Sequence, residues 1–113
     1  MNIATGLILV AAGVLVVVVG RLTATGRIGR NNLVGIRTAR SKADDESWLI
    51  VHRAAQPWMI GGGVALAVGG VVAAAAEPAR TAAVIVGAVL LVVLVIAGTV
   101  AGHAALRHRD LPR

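Results

Sequence analysis

Between two long apolar runs lies a polar island, Gly35-Ile36-Arg37-Thr38 followed by Ser41, Glu46, Trp48 and His52-Arg53, which gathers hydrogen-bonding and charged side chains into one short stretch. Trp48 and His52 are four residues apart, so on a helix they stand on adjacent turns of one face. Glu46 and Arg53, seven apart, can approach each other along the same helix. Arg37 offers a planar fork of donors suited to a carboxylate or a lipid phosphate. Gly35 permits a sharp turn and close backbone approach, and Asn31 or Asn32 can cap or line that turn. This chemistry is recognition rather than turnover. His52 has no second metal ligand at a suitable spacing, and His103 and His108 lie far along the chain. Thr38 and Ser41 lack the adjacent His and carboxylate that mark an activated nucleophile. Cysteine is absent, which removes thiolate metal sites, thiol nucleophiles and disulfides. The expectation is a protein that is not an enzyme and needs no cofactor.

The elements that must position these residues are set by hydropathy. Of 113 residues, 58% are hydrophobic and 14% charged, with a mean hydropathy of +0.86, a composition that would aggregate as a small soluble domain. Residues 3–20, 57–76 and 81–102 carry no charge. At about 1.5 Å rise per residue, each crosses a hydrocarbon core of roughly 30 Å. The β-branched runs Val16 to Val19 and Val92 to Ile96 would suit strands in water, but barrel strands are shorter and alternate in polarity. In lipid a helix satisfies every backbone group within its own segment. The fold class expected is therefore all-α, an integral membrane three-helix bundle forming a single domain over 1–113. The first run has no Lys or Arg before it and exceeds a signal-peptide core, so it is read as a retained helix.

The segment 21–56 is expected to hold a motif loop and a short interfacial amphipathic helix. Ser41-Lys42-Ala43-Asp44-Asp45-Glu46 has the chemistry of a helix start near Ser41 to Asp44, a hydroxyl followed by acids at the positive end of the dipole. Downstream, Trp48, Leu49, Val51, His52 and Ala55 form one face, which would lie at headgroup level and lead into the second span at Pro57-Trp58. Pro57 either begins a new helix or kinks a continuous one. Trp48 and Trp58 read as interfacial anchors and His52 as a hydrogen-bonded interface residue. The Arg37 loop is expected to fold back on the Trp48-His52 helix, with Glu46 as partner for Arg37 or Arg53.

Charge fixes the expected orientation. Arg21, Arg27, Arg30, Arg37, Arg40, Lys42 and Arg53 lie in the first connection and Arg107, Arg109 and Arg113 in the tail (103–113), against Arg80 alone in the second connection. Three spans put both basic segments on one side, which the positive-inside rule makes cytoplasmic, leaving the N-terminus outside. The net charge of +6 and pI near 11.8 need no nucleic acid, because sorting and anionic lipid headgroups account for cations beside spans and no aromatic platform accompanies them. No ionisable group sits centrally in an apolar run, which argues against a pump or coupled transporter. Small residues at Gly61, Ala65, Gly69 and Ala73, and at Gly98 and Gly102, make stripes for close helix packing, within one chain or between copies of a homo-oligomer. Ten Arg to one Lys, with abundant Ala, Gly and Val, fits a GC-rich bacterial genome.

Taken together, Asn32, Gly35-Ile36-Arg37-Thr38, Ser41, Glu46, Trp48 and His52-Arg53, followed by a glycine-rich span, resemble the membrane module of the SdpI family of bacterial toxin-immunity and signalling proteins. The resemblance is detailed over the motif and extends in organisation to the three-span plan. It implies an integral protein of the bacterial cytoplasmic membrane that binds rather than catalyses. Such a protein protects its producer against a secreted toxic peptide and, in the founding system, holds a transcriptional repressor at the membrane when toxin is present. Asn32, Gly35, Arg37, Thr38, Glu46, Trp48, His52 and Arg53 are then the candidate recognition motif, with anionic lipid headgroups and a protein or peptide as partners. Longer members carry further spans before the module, where here one helix precedes it. The alternative function is a small accessory or structural subunit of a larger membrane complex.

Overall fold

The computed structural model describes residues 2–111 and consists of three long helices, α1 (Ile3–Ala24), α2 (Asp45–Ala75) and α3 (Arg80–Arg109), with one 3-10 turn, Glu77–Ala79, between the last two. No strand occurs among the described residues, and each helix is long and apolar enough to cross a membrane. The expected all-helical membrane bundle is therefore the fold. α2 is its centre: α1 and α3 each pack along it and scarcely touch one another. Isoleucines, leucines and valines on the outer faces, among them Leu7, Ile8, Leu15, Val68, Ile85, Val92 and Ile96, are exposed, as surfaces that meet lipid must be.

Glycine decides how closely the helices approach. On the α1 side, a Cβ on Gly6 would stand 2.5 Å from the Gly70 carbonyl oxygen, and one on Gly63 would stand 2.6 Å from that of Gly13. Backbone meets backbone there, so no side chain could yield. On the α3 side, Gly69 faces Ala83 and Gly87, Gly98 faces Ala55 and Trp58, and Gly102 faces Val51. Ala65 packs at Gly87 through its carbonyl, and Ala73 is fully buried. The expected stripes thus pack largely within one chain. Gly61 is the exception in its set, with only a Leu94 methyl at 3.7 Å from where its Cβ would be.

Two boundaries differ from the charge-based spans. α2 runs without a break through Pro57 for 31 residues, so the amphipathic stretch is its first turns and not a separate helix. It starts at the end of the expected stretch, with Asp44 and not the Ser41 hydroxyl as its N-cap: Asp44 Oδ1 accepts from Ser47 N–H at 2.7 Å, while the Ser41 hydroxyl is used inside the loop. α3 continues to Arg109, two turns past the expected end of the third span, because Leu106 is buried in a core cluster with Ile36, Val51, Ala55 and Met59. At the opposite end, Arg80 Nε donates to the Ala73 carbonyl at 2.7 Å and satisfies one of the free carbonyls closing α2.

α1 stops at Ala24, where Gly26 at φ +82° turns the chain, while α2 and α3 extend farther. Residues 25–44 fold back against the first turns of α2 and the end of α3, meeting Trp48, His52 and His103. The loop and the C-terminal end of α3 lie together at the basic end, where Arg40–Asp110 (3.3 Å) joins α3 to the loop and Arg109–Glu46 (3.8 Å) joins it to the start of α2.

Candidate functional site

The motif loop is held by imidazoles from two helices. His52, on α2 and fully buried, uses Nδ1 toward the Trp48 carbonyl (2.7 Å) and Nε2 toward the Ile36 amide (2.8 Å). A carbonyl accepts only and a backbone N–H donates only, so Nδ1 carries the proton and Nε2 is the acceptor. His103, on α3, repeats the arrangement: Nδ1 donates to the Thr99 carbonyl (2.8 Å), and Nε2 accepts from the Thr38 hydroxyl (2.8 Å). Each histidine spends one nitrogen on the carbonyl four residues back in its own helix and turns the other to the loop.

Between these two pins the loop closes on itself. Buried Ser41 accepts from Thr38 N–H (3.0 Å) and donates to the Ile36 carbonyl (2.6 Å), while Thr38 Oγ1 accepts from Ser41 N–H (3.1 Å). Gly35 lies at φ +101°, where side chains are strained, and its missing Cβ would sit 2.9 Å from His52 Nε2 and 3.1 Å from Trp48 Cη2. The Trp48 and His52 rings are 4.1 Å apart between centroids and tilted by 35°, and Trp48 Nε1–H donates to the Ile28 carbonyl at 2.9 Å.

Trp48 is 1% exposed, so it is a core residue and not the interfacial anchor expected of it; Trp58, 42% exposed, keeps a surface position. The face carrying Trp48, Val51, His52 and Ala55 turns inward to the protein rather than to headgroups, because the loop and α3 supply an apolar cover with matching hydrogen bonds. Glu46 pairs with Arg109 instead of Arg37 or Arg53, since α3 extends far enough to bring its last turn alongside. Arg53 Nε lies 3.4 Å from the Ala24 carbonyl at the end of α1, and Arg37 donates to the Asn32 carbonyl. The motif thus divides. Gly35, Thr38, Trp48 and His52 are spent on the interior, and Asn32, Arg37, Glu46 and Arg53 are exposed.

Residues outside the expected motif complete the site. His103 is 65 positions from Thr38, a pairing that no local spacing announces. Asn31 folds the tip: its Nδ2 donates to the Gly29 and Val34 carbonyls, and its Oδ1 accepts from Leu33 and Val34 N–H. Arg30 pairs with Asp45 at 2.8 Å and donates to the Lys42 and Ala43 carbonyls. The Thr38–His103 contact has the outline of a nucleophile and base, but the far nitrogen of the imidazole meets a backbone carbonyl, and the hydroxyl already serves Ser41 N–H. Its chemistry is that of a pin. Among the described residues, no three His, Asp or Glu gather where they could hold a metal ion.

The family model of the SdpI/YfhL protein family matches residues 27–101. The chain belongs to this family. The matched segment takes in the loop, all of α2 and most of α3, so every residue of the expected motif is within the SdpI/YfhL module. α1 precedes the match, and His103 lies two positions beyond it. Comparisons with curated proteins and with solved structures gave no match. As a member of the SdpI/YfhL family with three apolar helices, the chain is a membrane protein of the SdpI type.

Proposed function

We propose that this protein acts by binding, without catalysis, in toxin immunity or membrane signalling, and that the outer face of the 27–43 loop is its recognition surface. One observation carries the reading. The buried half of the motif is consumed in holding the loop, while Arg30, Asn32, Arg37 and Arg40 are left exposed on a fixed framework. A surface already ordered loses little conformational freedom on association. The same arrangement disfavours acid–base chemistry, because both nitrogens of His52 and of His103 are occupied. With the basic loop and the C-terminal end on one side, the positive-inside rule puts both in the bacterial cytoplasm and the N-terminus outside.

The test expresses the tagged protein and an Arg37→Ala/Arg40→Ala variant in a peptide-toxin-sensitive bacterium, scores resistance, and compares captured partners in mild detergent. Resistance, or a stoichiometric partner, that depends on these two arginines and survives Arg107→Ala supports the reading. Equal behaviour of the double variant and the parent would overturn it.

A second reading, an accessory subunit, draws on a groove of about 460 Å³ between α2 and α3, lined by Ala65, Val68, Gly69, Val72, Ala83 and Gly87. Its floor of small residues suits the approach of a further helix, from a larger complex or from a second copy. Val68→Trp, on the exposed rim, would then abolish co-purification of that helix's owner or dissociate the homo-oligomer.

A further inference from the structure

We propose that the depression between the loop tip and the start of α2 is a binding site for a phosphate group. This rests on the reading of the loop's outer face as the recognition surface and names the ligand class for it. The depression, about 370 Å³, is lined by Arg30, Asn31, Asn32 and Lys42. Asn32 is its hub: Lys42 Nζ donates to its Oδ1 at 3.2 Å, and Arg37 donates to its carbonyl. Arg30 is tied to the same segment through the Lys42 and Ala43 carbonyls. Lys42 and Arg37 are thus fastened to one asparagine through its neutral oxygens, while Arg30, on the rim, is held by the Asp45 carboxylate.

An ammonium carries three donors and a guanidinium five, so most donors of Lys42 and Arg37 have no protein acceptor among the described residues. Donor-rich lining with excess positive charge calls for an oxyanion. A carboxylate has two oxygens and is satisfied by a single arginine fork. Lys42 in the lining and Arg37 beside it, neither ion-paired among the described residues, arrive from two chain positions and with Arg30 on the rim match the several oxygens and higher charge of a phosphate. The framework is fixed beforehand, since the four hydrogen bonds of Asn31 set residues 29–34 and leave its own amide satisfied. The phosphate could belong to a lipid headgroup, the loop being beside the end of α1, or to a free anion.

The test is calorimetric titration of the protein in neutral detergent, at constant ionic strength, with inorganic phosphate, dihexanoyl phosphatidic acid, dihexanoyl phosphatidylcholine and acetate. Saturable binding of phosphate or of phosphatidic acid is expected, with acetate and phosphatidylcholine much weaker. Lys42→Gln and Arg37→Gln should each weaken it by about tenfold, the value of one charge-assisted hydrogen bond, while Arg107→Gln stays within about twofold. Binding of inorganic phosphate assigns the site to the bare anion, and binding of phosphatidic acid alone assigns it to a headgroup. The indole N–H resonance of Trp48 verifies that each variant keeps its loop, and either Gln variant alone decides if the other does not. The proposal is overturned if neither probe saturates, or if Arg107→Gln weakens binding as much as Lys42→Gln, which would mean a diffuse field. Partner capture through Arg37 and Arg40 without phosphate binding would remove this proposal and leave the recognition surface standing.

Discussion

Two glycines in the same loop should respond very unequally to the same methyl group. At Gly35, φ +101° places an alanine in a region that costs about 1–2 kcal/mol for a residue with a Cβ. The new methyl would also meet His52 Nε2 at 2.9 Å and the Trp48 ring at 3.1 Å. Moving His52 away lengthens its 2.8 Å bond from the buried Ile36 amide, and an amide left without its acceptor costs about 1–3 kcal/mol. Together these favour local opening of the loop by about 3 kcal/mol, or on the order of 100-fold in the open population. At Gly29 nothing lies within 4 Å of an added Cβ, and the backbone is not in the positive-φ region. Trypsin reads the difference directly, since the loop carries Arg27, Arg30, Arg37, Arg40 and Lys42. When reclosing outpaces cleavage, the rate follows the open population. Gly35→Ala should be cut about 100-fold faster than the parent in detergent, and Gly29→Ala within about twofold of it. Equal rates for Gly35→Ala and the parent would refute the two-imidazole clamp, and equal acceleration of both variants would reduce the effect to backbone stiffness.

Trp48→Phe removes one hydrogen bond, to the Ile28 carbonyl, and should cost about 1 kcal/mol, seen as roughly fivefold faster tryptic cleavage. Gly63→Ala drives a methyl into the Gly13 carbonyl at 2.6 Å and should destabilise the α1–α2 pair by about 3 kcal/mol, lowering Tm in detergent, while Gly61→Ala leaves Tm unchanged. Arg40→Ala should alter stability by less than about 0.5 kcal/mol in the same assay, because the Arg40–Asp110 pair is half exposed on both sides. The Asp44 carboxyl is held below its ordinary range chiefly by the Ser47 amide. A depressed folded pKa means the cap's contribution is complete above the unfolded value, about 4, and fades as pH falls through the folded one. Hydrogen exchange of the Ser47 amide should therefore report a cap intact at neutral pH and lost only in strong acid, and Asp44→Ala should abolish that dependence.

The helices were legible because charge-free length in a membrane chain leaves one backbone solution, and the α2 start was legible because Asp44-Asp45-Glu46 has few other uses. The placement of Trp48 and His52 on one face followed from their spacing, but the direction of that face did not. Hydropathy sees an amphipathic stripe and cannot tell a lipid surface from a protein loop that comes back to cover it. Helix phase was equally hidden at Gly61-Gly62-Gly63, where three consecutive glycines point to three directions. Gly63 meets α1, Gly62 meets α3 at Leu91, and Gly61 meets little. The partner of Glu46 depended on how far α3 continued, and that was decided by the burial of Leu106, a long-range event.

The unbroken passage of α2 through Pro57 gives the protein a mechanical property. Its 31 residues make a rod of about 46 Å, longer than the hydrocarbon layer, with the clamped loop fixed to one end and the Glu77–Ala79 turn at the other. A pivot of about 5° around the end at the Glu77–Ala79 turn would carry the loop sideways by about 4 Å, more than the length of a hydrogen bond. Displacement at one end of α2 is therefore geared to the other through a single continuous helix whose weakest point is Pro57, which has no N–H to give to the Arg53 carbonyl.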